Sequence, residues 1–231
     1  MLLSLPNWII HVFSSLEWGG AAFLLFRHGS LSGRPALRIF GLSMLPHWVG
    51  SFFVLGYHAT GDAIPFMLDM SEVINLFGSI ALLLATMNIL RRLPKPAESG
   101  ITASVFIGTM LIAGRPQSWM GEDVFDLILQ LSSVVYLTFL VLLVMVWKRD
   151  RTVFSGVTVG GFWFVLVFIL VTVGCMYVAT GIRGYPTLSH DDLLHGAAES
   201  LLSISNLLIA IGAQKSITQD RLKRTGRPLS G

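Results

Sequence analysis

The sequence predicts an all-α membrane protein of seven transmembrane helices, arranged as a 3+1+3 parallel repeat with its N-terminus outside. Three observations carry this. Only 13% of the 231 residues are charged against 53% hydrophobic, with a mean hydropathy of +0.71; a soluble domain carries about a quarter charged residues. The basic residues gather in alternate connections between apolar runs. And Tyr57-His-Ala-Thr-Gly61 recurs as Tyr177-Val-Ala-Thr-Gly181, each copy closing the second span of its half.

A span needs about 20 apolar residues to cross ~30 Å of hydrocarbon. Six runs meet this: 7–26, 41–59, 66–90, 124–147, 153–180 and 191–213. The shorter stretch 100–114 is read as the fourth of seven spans through the positive-inside rule. If it crosses, fourteen of the sixteen Lys and Arg residues share one side, with only Arg115 and Arg183 on the other. That other side holds Asp62, Asp69, Glu122, Asp123, Asp191 and Asp192. The expected organisation is therefore a three-helix unit 1–96, a linker helix and loop 97–121, a second three-helix unit 122–213, and a basic cytoplasmic-side tail 214–231. The repeat is supported by Pro65 and Pro186 after the paired motifs and by Ser14-Ser15 matching Ser132-Ser133. Gly156, Gly160 and Gly161 open span six at a spacing that permits close helix approach. Cys175 lies inside an apolar run with no second cysteine to pair with. The pI near 9.3 comes from the short topological clusters, so the expected partner is a lipid bilayer and not nucleic acid.

Ionisable side chains inside spans are costly and are read as site residues. They are His11 and Glu17 on span one, His47 and His58 on span two, Glu72 on span three, and His195 and Glu199 on span seven. His195, Glu199, Ser203 and Asn206 share one helical face by their spacing. Counting ~1.5 Å per residue, His11, His58, Glu72 and His195 sit near the outer boundary, Glu199 deeper and Glu17 near the midplane. A polar cavity entered from the outer side is the expectation, with His11, Glu17, His58, Glu72, His195 and Glu199 lining it. Asp191 and Asp192 read as caps of span seven. Asp62 and Asp69 read as solvated loop acids, and His28 and His190 as surface residues.

Such groups admit several chemistries. Histidine can ligate haem or chlorophyll, and His195 with Glu199 can serve as acid and base or hydrogen-bond a quinone. No Glu-x-x-His pair or His-x-x-x-His pair occurs, so spacing gives no metal motif, and no lysine inside span seven offers a retinal Schiff base. Three functions stay open: holding a hydrophobic cofactor (chlorophyll, carotenoid, quinone or haem) or assisting a pigment–protein complex; intramembrane acid–base catalysis on an isoprenoid or carotenoid; and transport through a repeat fold.

The run His195-Gly-Ala-Ala-Glu199-Ser-Leu-Leu-Ser-Ile-Ser-Asn206 closely resembles the signature of a membrane family of unknown function from cyanobacteria and plastids. Pro6-Asn-Trp8-Ile-Ile-His11, Ser15-Leu-Glu17-Trp18 and Met44-Leu-Pro46 with His58 resemble a second family, described as a hypothetical chloroplast open-reading-frame protein. Together the resemblances span about 5–92 and 122–217. They imply the thylakoid or plasma membrane of an oxygenic phototroph and a photosynthetic membrane complex as a partner, and they supply no catalytic residues.

Overall fold

The computed structural model describes residues 3–94 and 118–225, and all their regular structure is helical. In chain order the α-helices are α1 (Leu5–Leu31), α2 (Pro35–Ser43), α3 (Leu45–Ala59), α4 (Pro65–Arg92), α5 (Glu122–Arg149), α6 (Gly156–Tyr177) and α7 (Asp192–Thr225). With α2 and α3 forming one interrupted crossing, six helical segments are long and apolar enough to span a membrane. The stretch 100–114 lies outside the described residues.

Helix starts follow local chemistry. Ser4 and Ser155 cap α1 and α6 with their hydroxyls, and α1 to α4 each carry proline in the first turn, where its missing N–H costs nothing. The break between α2 and α3 has the same origin. Pro46 has no N–H to donate to the Leu42 carbonyl four residues back, and just beyond the break the Met44 carbonyl accepts both from the Trp48 amide at 3.4 Å and from the Trp18 indole at 2.9 Å. In the second half, the Tyr136 hydroxyl donates to the Phe162 carbonyl at 3.1 Å.

α1, α4, α5 and α7 all run from an end bearing acidic residues to an end bearing basic ones. The apolar core occupies the basic half: Leu25, Phe40, Leu82, Phe139, Leu143, Phe154, Phe162 and Ile209 are fully buried there. α7 packs chiefly against α1 and α6. Against α6 the approach is very close, since a Cβ on Gly161 would lie 2.8 Å from the Ile209 nitrogen and one on Gly212 would collide with Thr158. Ser205 donates to the Gly161 carbonyl at 2.8 Å and Ser155 to that of Gly212 at 3.0 Å, so small residues and hydroxyls join these helices. Exposed Leu127, Leu131 and Leu170 suit a lipid-facing surface.

Four sequence expectations change. Asp69 is buried, 1% exposed; its Oδ2 accepts from the Ser118 hydroxyl at 3.0 Å and from the Trp119 and Met120 amides at 2.7 and 3.0 Å. It thereby holds the chain entering α5. Asp62 is hydrogen-bonded to His58 rather than free in a loop. His28 is fully buried and paired with Asp220 at 3.1 Å. Residues 214–225 are not a loose tail but the end of α7, with Ser216 and Ile217 buried, because α1 offers a packing face that far down.

Candidate functional site: a three-histidine cluster

The acidic end of α1 is built for a polar neighbour. Asn7, His11, Ser14 and Ser15 are its buried residues toward that end, spaced so that they recur on one face. The facing stripe of α7 supplies the partners. Asn7 donates to the Asp192 carboxylate at 2.7 Å and to its carbonyl at 2.8 Å, while the Ser4 amide donates to the same carboxylate at 3.1 Å. Asp192 thus holds the chain entering α1 much as Asp69 holds that entering α5. Asp191 performs the capping expected of the pair: it accepts from the Leu194 amide at 3.2 Å and is ion-paired with Arg183. Deeper, Ser203 donates to Glu17 at 2.6 Å, and Asn206 donates to the Ser14 carbonyl at 3.0 Å.

Between these rungs three imidazoles meet. Nε2 of His11 lies 2.8 Å from Nε2 of His195. His58, in the last turn of α3, closes a triangle whose ring centroids are 4.8 Å (His11–His58), 5.1 Å (His11–His195) and 5.3 Å (His58–His195) apart. All three residues are buried, and one ligand nitrogen from each lies within 4.8 Å of the others. Carboxylates stand behind two of them: Asp62 at 2.8 Å from Nδ1 of His58, and Glu199 at 3.8 Å from Nδ1 of His11. Nδ1 of His195 is buried without a hydrogen-bond partner.

The position of Asp62 is a product of the turn. Gly61 and Asp62 both take positive φ, 66° and 62°, and aspartate is among the few non-glycine residues that enter this region readily. The reversal brings the carboxylate back over the last turn of α3. Burial alone would raise its pKa, but the hydrogen bond and charge of His58 hold it below the ordinary aspartate value.

Of the expected site residues, the structure brings together His11, His58, His195 and Glu199. Glu17 joins the same α1–α7 seam about two turns deeper through Ser203. Glu72, on α4, forms no hydrogen bond or ion pair with any of them among the described residues. Sequence spacing did not reveal the convergence because each imidazole comes from a different helix. Asp62 was legible in principle: it stands four residues after His58, behind a Gly turn.

The comparisons divide the chain at the same point. Residues 2–88 match DUF2499 and residues 125–218 match DUF3593, each described as a protein of unknown function. Each half of the chain is thus similar to one of these families. The resemblances read from Pro6–Trp18 and from His195–Asn206 fall in these two regions. A Ycf49-like protein of Synechocystis is 28% identical over 97 residues, 41% of this chain and 93% of the relative. No solved structure matches. A chain joining DUF2499 to DUF3593 thus places His11 and His58 in one family region and His195 and Glu199 in the other.

Proposed function

We propose that this chain is a photosynthesis-associated integral membrane protein, resident in the thylakoid or plasma membrane of an oxygenic phototroph, that holds a cofactor at the His11–His58–His195 cluster. The observation that carries this is the convergence of three buried imidazoles, backed by two carboxylates, from helices in regions similar to two families. Buried ionisable groups near a membrane are expensive and are retained where they bind or react. The cyanobacterial relative supports the setting, and a pigment–protein complex is the partner we would seek.

The topology that goes with this reading has the basic end in the cytoplasm, so the cluster lies toward the outer, lumen-like side. Seven spans fit the same frame, because α4 ends at the basic end and α5 begins at the acidic one. A reporter fused after Gly121 tests this, and a cytoplasmic location refutes it. The 3+3 repeat is supported by two correspondences. Asp69 and Asp192 each hold the chain entering the first helix of the other half, and the Trp18–Met44 and Tyr136–Phe162 hydrogen bonds span the same 26 residues.

The test of cofactor binding is an absorption spectrum of the protein purified in mild detergent from a phototrophic host, with solvent extraction and elemental analysis of what is bound. A stoichiometric cofactor lost in His195→Ala is the expected result, and a protein with nothing bound overturns the reading. A second reading, acid–base chemistry on an isoprenoid, is favoured by Glu199 beside His11 and by Glu17 within the apolar layer. Product formation from a polyene in a host lacking the protein distinguishes it.

A further inference from the structure

We infer that His11, His58 and His195 form a three-nitrogen site for a bare divalent first-row transition ion of the zinc or iron class, with Asp62 and Glu199 orienting the ligands. This rests on the cofactor reading above and specifies its occupant.

Ring geometry decides between an ion and a tetrapyrrole. An ion bound at ~2.05 Å by imidazole nitrogen lies about 3.2 Å from the ring centroid, and three corners of a tetrahedron at that radius are about 5.2 Å apart. The centroids here are separated by 4.8, 5.1 and 5.3 Å. Two imidazoles on opposite faces of a haem stand about 6.4 Å apart with the macrocycle between them. A third ring about 5 Å from both occupies the space that macrocycle needs.

The nitrogens are less evenly placed than the rings: one from each residue lies within 4.8 Å of the others, against about 3.4 Å between tetrahedral ligands, so binding draws the wider pairs in. Asp62 takes Nδ1 of His58 and Glu199 stands behind Nδ1 of His11, which leaves Nε2 of each directed away from its carboxylate. This is the carboxylate–histidine–metal arrangement, in which the outer carboxylate fixes ring orientation and makes the ligand more basic. His11 and His195 now approach nitrogen to nitrogen at 2.8 Å, a contact that one shared proton satisfies. Tetrahedral ligands are spaced by about 3.4 Å, so metal entry displaces that proton and opens the pair by ~0.6 Å, within reach of side-chain torsions. Among the described residues Nδ1 of His195 has no hydrogen-bond partner, so no outer acceptor fixes the tautomer of that ring.

Three neutral imidazoles suit zinc, copper, iron and nickel and disfavour magnesium and calcium. The charge of a divalent ion there would be balanced from outside the ligand set by Asp62 and Glu199, with Asp192 one turn before His195. Three protein ligands leave a fourth position, as in catalytic rather than structural zinc sites.

The test uses the full chain in mild detergent. Elemental analysis of protein purified without added metal is expected to give about one transition ion per chain. After chelation, added Co2+ should produce the visible d–d bands of a tetrahedral nitrogen site, displaced by Zn2+. His58→Ala and His195→Ala should abolish both signals, and Asp62→Asn should weaken Co2+ affinity by about 10- to 100-fold. Because the cobalt spectrum is read on the parent protein, a variant that fails to fold does not decide the matter. A His195-dependent pigment or quinone with no ion and no cobalt bands overturns the metal assignment and leaves the cofactor reading standing. Absence of both ion and organic ligand overturns the two together.

Discussion

Asp69→Ala tests whether a single carboxylate oxygen organises the entry to the second half. Oδ2 of Asp69 takes three donors, two of them the backbone amides of Trp119 and Met120. The Ser118 hydroxyl has an alternative acceptor in the Gly121 carbonyl at 3.4 Å, so truncation strands chiefly the two amides. Each unsatisfied donor costs ~1–3 kcal/mol. Because Trp119 is exposed, solvent restores part of this, and the expected loss is ~2–3 kcal/mol. Asp69→Asn keeps an oxygen in the same place and loses charge assistance only, about 1 kcal/mol. SDS-induced unfolding followed by circular dichroism measures both, and amide exchange at Trp119 and Met120 should accelerate in the alanine variant alone. Equal losses for Ala and Asn, or an Ala variant within ~0.5 kcal/mol of the parent, would refute the reasoning.

Other expectations follow from the same contacts. Asp192→Ala should release the Ser4 amide while Asn7 keeps its bond to the residue-192 carbonyl, costing ~1–2 kcal/mol and raising proteolysis at the N-terminus. Gly161→Val should be severe, at least ~3 kcal/mol, because its Cβ meets the backbone of Ile209 and α6 must move off α7; the thermal midpoint in detergent reports it. At the basic end, Arg34 pairs with Asp150 at 3.3 Å. Burial would raise the Asp150 carboxyl, but the Thr152 hydrogen bonds and Arg34 hold it below the usual carboxylate range. A lowered folded pKa means the stabilisation is complete above the unfolded value, about 3.9, and disappears as pH falls through the folded one. Parent and Asp150→Asn should therefore differ by less than ~1 kcal/mol near neutrality and converge as pH falls through the folded value of Asp150.

Much of this architecture was legible in the chain. Apolar runs located the six long apolar helices, though not where α7 ends, and the spacing of His195, Glu199, Ser203 and Asn206 identified the face of α7 that meets α1. What could not be read was helix rotation and the identity of neighbours. His11, His58 and Glu72 looked alike as outer-boundary groups, yet only the first two turn toward His195. Asp62 and Asp69 looked like solvated loop acids because polarity beside a turn ordinarily means water; here each satisfies donors that the fold would otherwise bury. His28 and residues 214–225 were misplaced for one reason: a helix that outlasts the apolar layer continues wherever another helix accompanies it, and hydropathy does not record companionship.

That long helix has a mechanical consequence. α7 runs 34 residues without interruption, about 51 Å at helical rise, against ~30 Å of hydrocarbon. His195 rides near one tip, while Asp220 grips His28 and Arg224 grips the Leu31 carbonyl toward the other. It is a stiff rod anchored at both extremities to α1. Any displacement of its far tip is therefore carried, as a small rigid motion, to one corner of the imidazole triangle at the other end of the bundle.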